Sequence, residues 1–324
     1  MIMRKWRSFI LFILFIMLSY GAMENPFSQD FFSVIHDTSI PVSKQPKEEI
    51  WNRIEEEAKK MNQPAKNAKI DTVWKKIPGL NGILVDVEKS YDKMKKRGKY
   101  NQSLLVINQK KPDVQLKDLP PSPIYRGHPE QAVIALNINV SWGEEYIPDM
   151  LNTLKKHNVK ATFFIEGKWA NEHVEIVKMI QEQGHVIANH AYNHPDMRNI
   201  TSEEVERQLK QTNDILKRIT GKQPTLFAPP SGSYNEEVVR IANHLQMETI
   251  LWSVDTIDWK KPTTEVLLNR VLTKVHNGAF ILMHPTASTS QALEPLILKI
   301  RDKKYKITTV DNILNGKRIT LDIQ

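Results

Sequence analysis

The stretch "NHAYNHP" sets His190 and His194 four residues apart. That spacing lets two imidazoles face one metal ion when the turn between them is helical. Taken alone, it also describes a surface or hydrogen-bonding pair, since the chain has ten histidines. "WSVDTIDW" supplies Asp255 and Asp258 between Trp252 and Trp259, carboxylates beside aromatics as sugar recognition and pKa tuning require. "ILMHP" ends in His284, a candidate general acid that could equally be a satisfied core histidine. "FAPPSGSYN" fixes its backbone with Pro229 and Pro230 around Ser231, where a rigid N–H can meet a developing oxyanion; by itself it reads as an ordinary strand exit. Where a further catalytic carboxylate would be expected, "IALNINVSWG" has Asn139 and Val140 instead.

These groups fall at the ends of regularly spaced apolar runs. Seven strand candidates, "AVIALNI", "KATFFI", "HVIAN", "PTLFA", "ETILWSV", "AFILMH" and "KITTV", alternate with amphipathic helical segments. Gly184 and Gly221 sit at helix ends, and Ser202 reads as a capped start. Strand-then-helix units in series imply parallel strands wrapped by helices, an α/β barrel or a related open sheet whose site lies at the C-terminal strand ends.

Upstream, residues 47–117 predict a small α+β accessory domain that opens with an amphipathic helix carrying Ile50, Trp51, Ile54 and Ala58. Four prolines in "DLPPSPIYRGHP" predict a stiff linker over 118–130, and 131–316 forms the barrel domain. Residues 1–22 carry Arg4, Lys5 and Arg7, then an apolar run from Phe9 to Leu18, then small residues. This is the plan of a secretory signal, and bulky Tyr20 leaves an uncleaved anchor open. Residues 23–46 read as a spacer. The expected location is therefore the cell envelope or the exterior, with membrane contact only through an uncleaved N-terminus.

The formal charge of +8 favours anionic surroundings, a nucleic acid, a membrane face or an anionic cell-wall polymer, and export removes nucleic acid from these. The absence of cysteine excludes disulfides and thiol chemistry.

In order, "VKATFFIEGKWA", "GHVIANHAYNHPDM", "FAPPSGSYN", "WSVDTIDW" and "ILMHP" resemble the polysaccharide deacetylase family, the NodB homology domain of carbohydrate esterase family 4, over about 131–310. "NINVSWG" is similar to the TFDxSWG of a sporulation-associated subset from endospore formers, which adds a spore envelope to the expected locations. The resemblance implies a distorted (β/α)7 barrel and metal-dependent removal of acetyl groups from N-acetylated glycans of the peptidoglycan type, usually with zinc. It implies that His190 and His194 are metal ligands, His284 the general acid and Asp258 the group that tunes it. It places the Ser231 backbone N–H at the oxyanion, and Trp142, Pro230, Tyr234 and Trp259 against the glycan. Three positions depart from the pattern: Asn139 stands for the base, Val140 for the metal aspartate and Ala228 for the arginine that orients the base.

An amide cannot take up a proton near neutral pH, and a valine offers a metal no donor atom. With the base gone, an arginine beside it would be an unpaired buried charge, which alanine removes. Three readings follow: a weakened or inactive deacetylase domain that still binds glycan; an active deacetylase rewired through Glu144, Glu145 or Asp196; or an envelope scaffold acting through its basic N-terminal domain.

Overall fold

The computed structural model describes residues 12–17, 21 and 46–319. The signal segment and spacer therefore lie almost wholly outside the described residues. No helix among the described residues is long and apolar enough to cross a membrane. The described residues form two compact units: those up to Lys60 with Asp86–Val106, and Met61–Val85 with those from Ile107 onward. The 47–117 segment is thus shared between them.

In the first unit, helix α1 (Pro46–Met61) buries Ile50, Ile54 and Ala58, the stripe its periodicity predicts. Helix α2 (Val87–Met94) starts where the Asp86 side chain caps the Lys89 amide. Trp51 meets Tyr91 at 5.7 Å between ring centroids.

The second unit begins with an antiparallel hairpin, β1 (Lys69–Asp71) and β2 (Lys75–Ile77), followed by the strand pair β3 (Gly82–Asp86) and β4 (Val106–Lys110). The barrel strands are β5 (Val133–Val140), β6 (Thr162–Ile165), β7 (Val186–Asn189), β8 (Leu226–Phe227), β9 (Glu248–Thr249), β10 (Val254–Asp255), β11 (Phe280–Met283) and β12 (Lys306–Thr308). All their pairings are parallel, in the order β10-β11-β5-β6-β7-β8-β9, with β12 beside the start of β5. This is the expected (β/α)7-type architecture.

All of β5 is buried, and its two faces differ. Ile134, Leu136, Ile138 and Val140 join the helix-facing core. Val133 and Ala135 join the inner cluster with Phe164, Ala188 and Ala228. The period-two alternation of a strand therefore turns Asn137 and Asn139 toward the barrel interior and Val140 away from it.

Two local expectations change. "ETILWSV" is two short strands, because the chain crosses a seam there: the Ile250 amide still bonds Phe227 O of the β8 side, and the Ser253 amide already bonds Phe280 O of the β11 side. Ile124, placed by sequence in the linker, enters this seam, donating to Thr249 O and accepting from the Leu251 amide. Helices α3 (Ile147–Lys156), α4 (Gly167–Glu172) and α5 (Val174–Glu182) precede α6 (Ser202–Thr220), which is capped by the Thr201 side chain, one residue before the expected Ser202, and which Gly221 ends with φ +71° as predicted.

Candidate functional site

A cleft of about 370 Å³ opens at the C-terminal ends of the barrel strands. Of the residues singled out by sequence, Asn139, Trp142, His190, His194, Ser231, Trp259 and His284 line it. Pro230, Tyr234 and Asp258 do not: the Tyr234 hydroxyl is bonded to that of Tyr125 at 2.8 Å, and Asp258 lies behind His284. Ser141, Trp252, Asp255 and Leu282 complete the wall. Trp252 and Asp255 were visible as sugar-site residue types. Leu282 carried no chemical signal, and Ser141 was part of a motif assigned to other side chains.

The two histidines are brought together by a loop, not by the helical turn their spacing suggests. Ala191 and His194 both adopt left-handed backbone, with φ +61° and +58°. The Asn189 side chain fixes the start of this loop: its Oδ1 accepts from the Ala191 amide, and its Nδ2 donates to Leu209 O and Asn213 Oδ1 on α6. Gln208 Oε1, also on α6, accepts from the Tyr192 amide at 2.8 Å. The rings of His190 and His194 then meet edge to face, 5.3 Å between centroids.

His190 Nδ1 lies 2.7 Å from Ala228 O. A carbonyl only accepts, so the proton sits on Nδ1 and Nε2 keeps its lone pair. Desolvation, and then the neighbouring His194, lower the His190 pKa to about 3. Desolvation also lowers that of His194.

Opposite them stands His284, with Nδ1 2.8 Å from Asp258 Oδ1. Asp258 is fully buried, and its Oδ2 accepts from the His284 amide at 2.6 Å and from Thr289 Oγ1 at 2.5 Å. The Trp142 ring stacks on His284 at 6.0 Å between centroids and 10° between planes. Trp142 and Trp259 are both about half exposed and offer flat apolar faces at the mouth, as sugar rings require.

A sequence-family model for polysaccharide deacetylase matches residues 126–250. An uncharacterized Bacillus subtilis protein, YlxY, is 44% identical over 98% of this chain and 99% of its own length. A peptidoglycan-N-acetylglucosamine deacetylase of Bacillus cereus is 34% identical over 60% of this chain and 72% of its own. The crystal structure of a carbohydrate esterase family 4 pseudoenzyme from Bacillus anthracis is 47% identical, covers 83% of this chain and 96% of that one, and superposes with a TM-score of 0.78. The chain belongs to the polysaccharide deacetylase family. A mutant of that pseudoenzyme, with a TM-score of 0.78 and 46% identity, is described as having restored enzymatic activity.

For a polysaccharide deacetylase the donor set is incomplete. His190 and His194 bring imidazoles into the cleft, but Val140 is fully buried in the helix-facing core, and Ala228 offers its carbonyl to His190. Among the described residues no cluster of three or more His, Cys, Asp or Glu side chains could hold a metal ion. The residues present therefore do not fit the family's metal centre, which needs about three protein ligands.

Nor do the three carboxylates considered as substitutes line the cleft. Glu144, 3.4 Å from Trp169 Nε1, is held below the usual carboxylate range by backbone N–H at its own short helical turn. Asp196 accepts from the Ser233 hydroxyl and from Asn199 Nδ2, which lower its pKa. Glu145 is exposed. The carboxylate that does line the cleft is Asp255, whose Oδ1 accepts from the Ile257 amide at 2.8 Å.

Proposed function

We propose that this protein is a pseudoenzyme of the polysaccharide deacetylase family, which binds peptidoglycan-type, N-acetylated glycan in the cell envelope without deacetylating it at the rate of its active relatives. One observation carries this reading: the acid side of the site, His284 on Asp258, is intact, whereas the base position holds Asn139 and the metal-aspartate position holds the core residue Val140. Aromatic faces, a bounded cleft and neutral imidazoles suffice to hold a sugar; they do not generate a nucleophilic water. General-base removal alone forfeits about 10²–10⁴ in rate.

Envelope location rests on the basic start and apolar run of residues 1–22, and a spore-envelope role on the TFDxSWG-like first motif. Fractionation of the producing cell, with N-terminal mass spectrometry of the mature protein, tests both export and signal cleavage.

Purified protein should retain N-acetylglucosamine oligomers and peptidoglycan sacculi and release no acetate above the buffer rate, with or without added zinc. Metal-dependent turnover would overturn the reading in favour of a rewired enzyme. Loss of glycan binding together with turnover would shift the function to the basic N-terminal region and a wall polymer.

A further inference from the structure

The residues of the cleft do not fit the metal centre of the family, yet they include groups that attract a positive charge. His190 presents the lone pair of Nε2, since Nδ1 is committed to Ala228 O. Among the described residues, and histidines apart, Asp255 is the only acidic or basic side chain lining the cleft, and one of its oxygens already orients the Ile257 amide. Asn139 is 5% exposed, and its Oδ1 has no hydrogen-bond partner among the described residues. The amide torsion of asparagine is broad and roughly two-fold, so a half-turn presents that oxygen to a ligand. The arginine that would have opposed a cation is Ala228.

From this inventory we infer that the cleft prefers a sugar whose acetyl group is already gone, a glucosamine unit with a free protonated amine, over its N-acetylated counterpart. An ammonium brings three N–H donors and a positive charge to an imidazole lone pair, an amide oxygen and a carboxylate. An acetamido group brings one N–H and a carbonyl acceptor, which leaves most of these acceptors unpaired. The protein would then recognise the product of a deacetylation carried out by another enzyme. The formal charge of +8 opposes a cationic glycan over the whole surface, so the preference must arise inside the cleft. Lys260 does not enter it; its Nζ stands 5.0 Å from the Trp259 ring centroid.

This inference rests on the glycan-cleft reading above, and one titration separates the two. The full-length protein is titrated calorimetrically, at mildly acidic pH, with chitotetraose and with the fully de-N-acetylated tetramer of glucosamine. The free-amine tetramer should bind about ten-fold more tightly. Asp255→Asn keeps the oxygen that accepts from Ile257 and should abolish the preference, weakening the free-amine tetramer about ten-fold more than chitotetraose. Asn139→Asp, of the same shape, should enlarge it. Equal binding of the two tetramers, or a preference that survives Asp255→Asn, overturns the inference and leaves glycan binding standing. Failure of both tetramers to bind overturns the cleft reading itself.

Discussion

Asp258 holds His284 at two points, its Oδ1 2.8 Å from the ring Nδ1 and its Oδ2 2.6 Å from the backbone nitrogen. A buried carboxylate gripping a histidine in this way fixes the orientation of the ring. On the pseudoenzyme reading proposed above, the acid side of the site is formed in a chain that holds Asn139 and Val140 at the base and metal positions.

Because the acid pair is formed, activity should return when only the missing groups are supplied. The triple variant Asn139→Asp, Val140→Asp, Ala228→Arg should deacetylate N-acetylglucosamine oligomers with added zinc, at least about 10² faster than the parent chain. His284→Ala in that background should remove the gain. Residue 140 sets a condition on this. A carboxylate there starts in the helix-facing core, where an unpaired charge is costly, and only an ion at the strand end draws it out. The triple variant should therefore melt below the parent in chelator and recover in zinc, by the linkage of ligand to the folded state. A stable, zinc-indifferent and inert variant would show that residue 140 does not reach the metal position.

A second expectation concerns acid. Burial lowers the His190 pKa from its ordinary 6.5 to about 3. Between those values the unfolded chain carries the proton and the folded chain does not. The stability His190 contributes is thus full above its unfolded pKa and is lost as pH falls toward the folded one. Its share of the loss between about pH 8 and pH 5 is about 2 kcal/mol. Urea unfolding of the wild type and of His190→Gln, whose side-chain amide can still donate to Ala228 O, should show the variant losing about 2 kcal/mol less over that range. Parallel pH profiles would mean that His190 is hydrated in the folded state.

How much of this was legible in the sequence depends on the range of the contacts involved. The placement of His190, His284 and Asn139 at strand ends follows from apolar runs and what interrupts them, all local signals. The route by which His190 and His194 meet was not legible, because the loop is set by Asn189 and Gln208 bonds that involve α6. Asp255 and Asp258 were equally visible, but which of them faces the cleft turns on Ile257, whose φ of +52° no residue-type preference announces. The seam within "ETILWSV" was hidden for a similar reason: Ile124, more than a hundred residues earlier, supplies the bonding that a continuous strand would have had.

Away from the cleft, Lys76 on β2 is paired with Glu248 on β9. Nζ lies 2.8 and 2.9 Å from the two carboxylate oxygens, and the lysine side chain is 1% exposed. Glu248→Ala strands a charge that cannot reach water and should cost about 3–5 kcal/mol. Lys76→Met removes the buried charge and leaves Glu248, which is partly exposed, to hydrate; it should cost much less. Equal losses in chemical denaturation would mean that Lys76 reaches solvent in the folded protein.

The mouth of the cleft depends on Gly143, which follows Trp142 and has φ +83°. A Cβ there would sit 2.0 Å from Pro285 O, the residue after His284, so any side chain must push the two walls apart. Two causes of intolerance can be separated. If only the left-handed backbone mattered, Gly143→Asn would be nearly neutral, because asparagine tolerates that region. If the contact with Pro285 dominates, both Gly143→Ala and Gly143→Asn should lose about 1–3 kcal/mol or more in chemical unfolding. Both should also weaken glycan binding by displacing Trp142 from its stack on His284. We expect the second outcome, because an approach of 2.0 Å cannot be relieved by a side-chain rotation when the opposing atom is backbone. An asparagine variant of parental stability would place the requirement in the backbone angle alone.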